Sequence, residues 1–383
     1  MMWEKVKLGN VCEITSSKRI FYSEYVDDGV PFYRSKEIIE SDEGKVIENP
    51  LYISVDKYNE IKEKFGVPQT GDMLLTSVGT IGIPYIIKKK DCFYFKDGNL
   101  TWFRDFREGL NSKYLYYWIK SSEGTGILYN TTIGSSQRAL TISALKNIKV
   151  SLPPRSVQDK IVEVVSAYDD LIENNQKQIK LLEEAAQRLY KEWFVDLRFP
   201  GHENTKIVDG VPEGWSRTNI NEILTFHRGY DLTKNEMKAG RYPVVGSTTV
   251  IGYHNEFKIK GPGIVTGRSG SLGKYQFIWD NFWPHNTSLY ISDYKDHNIF
   301  FVYSLLQTVD FASLNNGGAI PTLNRNVLSN IEVIEPTDEL QEMFAKIAEP
   351  QYQKIKNLEK QNNQLKMARD ALLPKLMSGE VEV

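Results

Sequence analysis

The chain has 383 residues, 47 basic against 49 acidic side chains, a net charge of −2, and 41% hydrophobic and 25% charged content. This is globular composition with room for two or three domains, and it excludes disorder, collagen and a chain made only of coiled coil. Near-neutral charge leaves any polyanion partner to be met by local clusters rather than by the field of the whole chain.

At the N-terminus, Met1-Met2-Trp3-Glu4-Lys5-Val6-Lys7 lacks the apolar core of a signal peptide, and no apolar run approaches the ~18–20 residues that a bilayer requires. The expectation is a cytoplasmic protein without membrane contact. Cys12 and Cys92 cannot build a disulfide framework, and no Cys/His cluster joins them as zinc ligands would, so no metal is expected.

Residues 1–152 are rich in Gly, Tyr, Phe and Thr, with short apolar runs such as Tyr85-Ile86-Ile87, and predict a compact mixed β domain with a helix near Lys113 to Ser121. After Pro153-Pro154 Gly and Pro nearly vanish, and Ser156 followed by Asp159 reads as a helix start. Small or apolar residues then recur at Ile161, Val165, Tyr168, Ile172, Asn175, Ile179, Leu182, Ala186, Leu189 and Trp193, spaced four and three. That is a heptad seam over 153–199.

The text then repeats itself. Trp3 to Leu8 resembles Trp215 to Ile220, Gly71 to Gly82 answers Gly261 to Gly273, Asn99-Leu100-Thr101 matches Asn286-Thr287-Ser288, and Leu145 to Val150 matches Leu328 to Val333, in unbroken order. Residues 200–335 therefore predict a second domain of the same kind, with a helix near Ile299 to Thr308. A second helix over 336–383 carries the same seam, shifted uniformly, at Phe344, Ala348, Gln351, Ile355, Leu358, Asn362, Leu365, Arg369, Leu372 and Leu376. Helices of this length span ~55–60 Å. They are expected to pair antiparallel, with Asn175 and Asn362 as polar seam positions that set register; two separate helices, each on its own β domain, are the alternative. Pro374 is expected to kink or end the second helix before Gly379. The fold expected is α+β: two tandem mixed β/α domains separated by two long antiparallel helices, related by a pseudo-two-fold axis.

Two reading modules held a fixed distance apart suit a two-part linear target, and duplex DNA presents successive half-sites about 34–36 Å apart. The order of blocks, with Pro31-Phe32-Tyr33-Arg34-Ser35-Lys36-Glu37-Ile38, Tyr242-Pro243-Val244-Val245-Gly246-Ser247, Asn147 to Pro154 running into Gln158, and the closing Leu372 to Glu380, resembles the specificity subunit of type I restriction-modification systems over essentially the whole chain. The resemblance implies two target-recognition domains, each reading one half of an asymmetric bipartite sequence in double-stranded DNA. It implies docking of two methylation subunits, joined by restriction and motor subunits. It also implies no active site and no cofactor in this chain, with S-adenosylmethionine, and ATP with Mg, belonging to partners.

Several side chains suit DNA. Arg34 and Lys36 offer a base-edge and a phosphate contact, or form a solvated surface pair. The turns containing Ser77 and Thr80, and Arg268, Ser269 and Ser271, offer small hydroxyls on a backbone that approaches a groove, or serve as plain hairpins; neither has dinucleotide-binding spacing. Gln137 and Arg138 suit adenine and guanine better than Asn315 and Asn316, which suit a turn. Arg228, Tyr230, Ser247, Thr248, Thr249 and His254 add donors and a ring, although Tyr230 suits a core equally. Lys88-Lys89-Lys90 reads chiefly as a solvated face, and Trp193-Phe194 as a subunit-docking patch or as the helix terminus.

Two other functions fit the same sequence. One is a non-catalytic scaffold or ligand-binding protein with two modules on a rod. The other is an amino-methyltransferase acting through Asn49-Pro50-Leu51-Tyr52, but that segment lacks the second Pro of such loops and no Gly-rich cofactor loop precedes it, which favours a turn.

Overall fold

A computed structural model describes residues 3–134, 138–268, 273–309 and 331–383. The chain divides into two compact units, Met1–Asn175 with Lys360–Val383, and Gln176–Glu359. The division cuts both long helices, because each β domain buries a stretch of both.

In the first unit, strands β2 (Glu13–Thr15), β9 (Leu100–Arg104), β6 (Met73–Thr76) and β7 (Pro84–Ile86) form an antiparallel sheet in that order. Every residue of β6 is buried, as a central apolar strand covered on both faces should be. A second sheet runs β3 (Tyr25–Val26), β5 (Leu51–Ile53), β4 (Val30–Tyr33), β8 (Tyr94–Phe95), with the last pair parallel. Ribbon β1 (Glu4–Lys7) with β10 (Lys149–Leu152) joins the chain start to the approach of the first long helix. Asn49, at φ +52°, turns the chain into β5, which agrees with a turn at Asn49-Pro50.

The second unit repeats the plan. Strands β14 (Thr225–Arg228), β20 (Ser288–Asp293), β17 (Gly263–Gly267) and β18 (Tyr275–Ile278) keep the same sheet order, and β15 (Tyr242–Val245) runs parallel to β19 (Trp283–Pro284) and antiparallel to β16 (Val250–His254). Ribbon β13 (Ser216–Asn219) with β21 (Glu332–Glu335) stands where β1 and β10 stand in the first. The short helices Ser112–Lys120 and Ile299–Thr308 pack beneath the two antiparallel sheets and carry wholly buried Trp118 and Phe301.

The first long helix spans Arg155–Tyr190 and the second Asp338–Ser378. The second passes through Pro350 and Pro374 and stops only at Gly379, whose φ of +74° suits the left-handed residue that closes a helix. Pro374 therefore does not end it. Within the first unit the helices run antiparallel: Asp169 meets Arg369 and Asn175 meets Asn362. Ile161, Val162 and Val165 share one core cluster with Leu373, Leu376, Met377 and the β domain's Leu8, Leu75 and Trp118. In the second unit Ala186, Tyr190, Phe344, Ala348, Tyr352 and Ile355 share the core of the other β domain.

Along the seam Ile161, Val165, Ile172, Phe344, Ala348, Ile355 and Leu358 are buried, while Tyr168, Ile179, Leu182, Leu189, Leu365 and Leu372 are half-buried. Trp193 and Phe194 are not a docking patch. They lie buried against Tyr190, Trp215, Phe301 and Phe344, because the helix end turns them into the second unit's core. Among the described residues no helix is long and apolar enough to cross a membrane.

Candidate nucleic-acid interface

In the second unit the parallel pair β15·β19 ends beside the antiparallel sheet, and backbone hydrogen bonds tie the departing loops together. The Tyr230 N–H donates to Pro284 O at 2.8 Å, His285 N–H to Val245 O at 2.8 Å, and Arg268 N–H to Thr287 O at 3.1 Å. Ser247 Oγ donates to the same Thr287 carbonyl at 2.8 Å. Gly229 has no alternative here, since a Cβ would lie 2.1 Å from His285 O.

This stitching brings Arg228, Ser247, Thr248, Thr249 and Arg268 to one loop cluster, together with Asp231, His285 and Asn286. Arg228, Thr248 and Thr249 are exposed. Arg228 stands 3.8 Å from Asp231, whose carboxylate also accepts from the Asn286 amide. An exposed guanidinium held loosely by one carboxylate is free to exchange it for a base edge or phosphate. Tyr230 is half-buried, its hydroxyl 3.0 Å from that of Tyr290, and it supports the cluster more than it lines it. Ser269 and Ser271 lie outside the described residues.

The first unit makes a similar cluster. Lys96 N–H donates to Tyr33 O at 2.9 Å, Ser77 N–H to Asn99 O at 2.8 Å, and Leu140 N–H to Ser77 O at 2.9 Å. Lys18 N–H donates to the Tyr94 hydroxyl at 2.6 Å, and Arg19 pairs with Asp97 at 2.9 Å. Thr80 and Arg138 are exposed at these loops, where Arg138 covers the Tyr129 ring at 4.1 Å, and Lys36 is exposed in the first turn of the helix Ser35–Asp42, 3.7 Å from Glu40. Gln137, Asn315 and Asn316 lie outside the described residues.

Three expected contacts are placed differently. Ser77 is wholly buried, its hydroxyl 2.6 Å from that of Thr101 and donating to Leu75 O, so it joins strands rather than facing a groove. His254 is buried against Trp283, and its Nδ1 accepts from the Lys238 N–H at 3.0 Å. Arg34 precedes helix Ser35–Asp42, where its guanidinium donates to Glu37 at 2.5 Å and its N–H to the same carboxylate at 2.7 Å. Burial works to raise the Glu37 carboxyl, but these bonds from Arg34 outweigh it and hold the group below the ordinary glutamate range. Arg34 is thus half committed to the fold. Lys88-Lys89-Lys90 are exposed on a turn whose start is capped by Asp91, which accepts from Lys88 N–H and the Tyr85 hydroxyl at 2.8 Å each.

The family described as the Type I restriction modification DNA specificity domain matches residues 2–184 and again 212–367. The chain belongs to that family. It is a specificity subunit of the type I restriction-modification kind, and the two matches coincide with the two halves of the repeat. The MjaIX specificity subunit of Methanocaldococcus jannaschii is 28% identical over 422 residues, covering 100% of this chain and 94% of the relative. The HindI specificity subunit of Haemophilus influenzae is 23% identical over 328 residues, covering 63% of this chain and 71% of that one. The S subunit from M. genitalium shares the fold, with a TM-score of 0.60, 18% identity, and 98% of this chain and 96% of that chain covered.

Within this specificity subunit, Arg19, His227, Lys258, His285 and Asn286 join the candidate interface without having been singled out in the sequence. His227 is exposed beside Tyr230 and Tyr290, and the Lys258 ammonium sits 4.7 Å over Trp283. The repeat alignment already contained Asn286, opposite Asn99, and that was the one available signal; the others are singled out only by the loops that meet around them.

Proposed function

We propose that this specificity subunit is the non-catalytic reader of its complex. Each unit reads one half of an asymmetric, bipartite duplex target through its loop cluster, and the two long helices act as the spacer. Two methylation subunits dock on it and restriction and motor subunits join them, in the cytoplasm. Adenine methylation with S-adenosylmethionine, and ATP hydrolysis with Mg, would take place on those partners. The observation that carries this reading is the duplicated sheet order that presents equivalent loops with different side chains: Arg19, Lys36, Thr80 and Arg138 in one unit, Arg228, Thr248, Arg268 and Asn286 in the other. Equal scaffolds with unequal donors are what two different half-sites require, since base edges are told apart by donor and acceptor pattern.

The test is co-expression with the methylation partner in a methylation-free host, followed by genome-wide sequencing of modified adenines. Methylation at one split asymmetric motif, lost without this chain, is the expected result. A stable complex that modifies no motif, or modifies the same sites without this chain, overturns it.

A further inference from the structure

The two long helices are copies of each other 183 positions apart (344 against 161), so every contact between them has a repeat equivalent that is either kept or broken. In the first unit two of these contacts are polar, beside the apolar cluster that Ile161 and Val165 form with Leu373 and Leu376. Asn175 Nδ2 donates to Asn362 Oδ1 at 2.9 Å, with the two residues 5% and 6% exposed, and also to Gln361 Oε1 at 3.2 Å. Nearby, the Arg369 guanidinium reaches Asp169 at 2.5 Å, while the Tyr117 hydroxyl donates to the other carboxylate oxygen at 2.8 Å.

Carried through the repeat, Asn175 becomes Leu358, Asn362 becomes Ile179, Asp169 becomes Tyr352 and Arg369 becomes Ala186. None of these carries a charge or an amide. In the second unit Ala186 and Tyr352 are both buried in one core cluster, against which Ile179 packs. The sequence repeat is therefore broken at these four positions: in the first unit they pair through polar groups, and in the second their equivalents pack.

The observed register also dictates what like-with-like pairing would bring together. With Asn175 opposite Asn362, a first helix laid on a second copy of itself would set Asn175 against Ile179 and Asp169 against Ala186, each of them twice. Two second helices would set Asn362 against Leu358 and Arg369 against Tyr352. A buried amide facing an apolar side chain loses its partner but keeps its desolvation cost, and the half-buried Asp169 and Arg369 lose each other, whereas the mixed pairing satisfies all four groups.

We propose that Asn175·Asn362 and Asp169·Arg369 make the seam discriminating, so that the first helix accepts the second and rejects a second copy of itself. The chain then closes on itself with two different readers instead of associating with another copy through like helices. This rests on the seam alone and holds whether or not the loop clusters read DNA.

The test uses the full-length chain. One variant, Asn175→Leu with Asn362→Ile, gives each position the residue that its repeat equivalent carries; a second adds Asp169→Tyr and Arg369→Ala. Both keep the mixed pairing filled; the first removes the penalty on like-with-like pairing at the asparagine positions, and the second removes it at all four positions. Two differently tagged batches of each protein are unfolded together, refolded at low and high concentration, and scored by light scattering and by capture of one tag through the other. Exchange of whole helices between copies keeps every native pair, so the wild type supplies the baseline for it. The expected result is a dimer fraction at least about tenfold above wild type at equal concentration for at least one variant that retains a cooperative melt, since each orphaned polar group removed is equivalent to roughly a tenfold change in an equilibrium and each occurs twice in a like-with-like pair. Variants that fold and stay as monomeric as wild type overturn the proposal, because tethering within one chain would then decide the pairing. Failure of both variants to recover a cooperative melt also overturns it, because the apolar equivalents could not then replace the polar pairs.

Discussion

Gln158 donates its side-chain amide to the carbonyl oxygen of Pro153 at 2.8 Å, five residues earlier, and its repeat equivalent Gln341 does the same to Pro336 at 3.2 Å. Gln158 is wholly buried; it also donates to Gly109 O at 2.7 Å and accepts the Asn111 N–H at 2.9 Å. One amide thus stitches the start of a long helix to the β domain beneath it. Gln158→Leu leaves three backbone groups without that partner and is expected to cost about 3 kcal/mol in urea unfolding. A loss below about 1 kcal/mol would mean that water replaces the amide at no penalty.

Glu37 gives the chain a pH-dependent element. Its folded carboxyl titrates below the ordinary range because Arg34 binds the ionised form through side chain and backbone. A depressed folded value means that the contribution is present above the unfolded value, ~4.3, and disappears as pH falls through the folded one. Glu37→Gln is expected to cost about 1–3 kcal/mol at pH 7, with the gap between wild type and variant closing in acid below ~4. Thermal melts across pH 3 to 7 measure it; a gap that persists unchanged in acid contradicts the assignment.

Ser77 and Thr80 lie in one turn and are expected to behave oppositely. Ser77→Ala removes a buried bond to Thr101 and is expected to lower stability by about 1 kcal/mol while leaving sequence preference intact. Thr80→Ala, like Arg228→Ala, touches exposed groups and is expected to leave the melt within about 0.5 kcal/mol. In the assembled complex these two are expected to weaken discrimination between target and random duplex, and the reverse pattern would relocate the interface.

Pro350 stands exposed inside the second long helix, where it cannot donate to the carbonyl four residues back. Pro350→Ala is expected to raise stability by about 1–3 kcal/mol, read as a higher denaturant midpoint at unchanged slope. An unchanged or lower midpoint would show that the ring makes a packing contact outweighing the lost helix bond.

How much of the site was legible varies residue by residue. Asn175 and Asn362 stood out because a polar residue interrupting a heptad is a local pattern, visible without knowing the partner. His254 misled for the complementary reason: its sequence neighbours are strand-like and polar, and only Trp283 arriving from β19 buries it. Arg34 follows a strand, and the Glu37 that claims it becomes a partner only once a helix starts at Ser35.

The amino-acid order by itself determined the duplication, the two long helices, their seam and the family, because collinear blocks and heptad spacing are properties of neighbours along the chain. Tertiary structure alone decided which hydroxyls and cations of the two β domains face water, since that depends on strands brought together from distant positions. It also decided that each unit takes in a stretch of both long helices, because the apolar faces of those helices find their cover only on the sheet and helix layers beneath them.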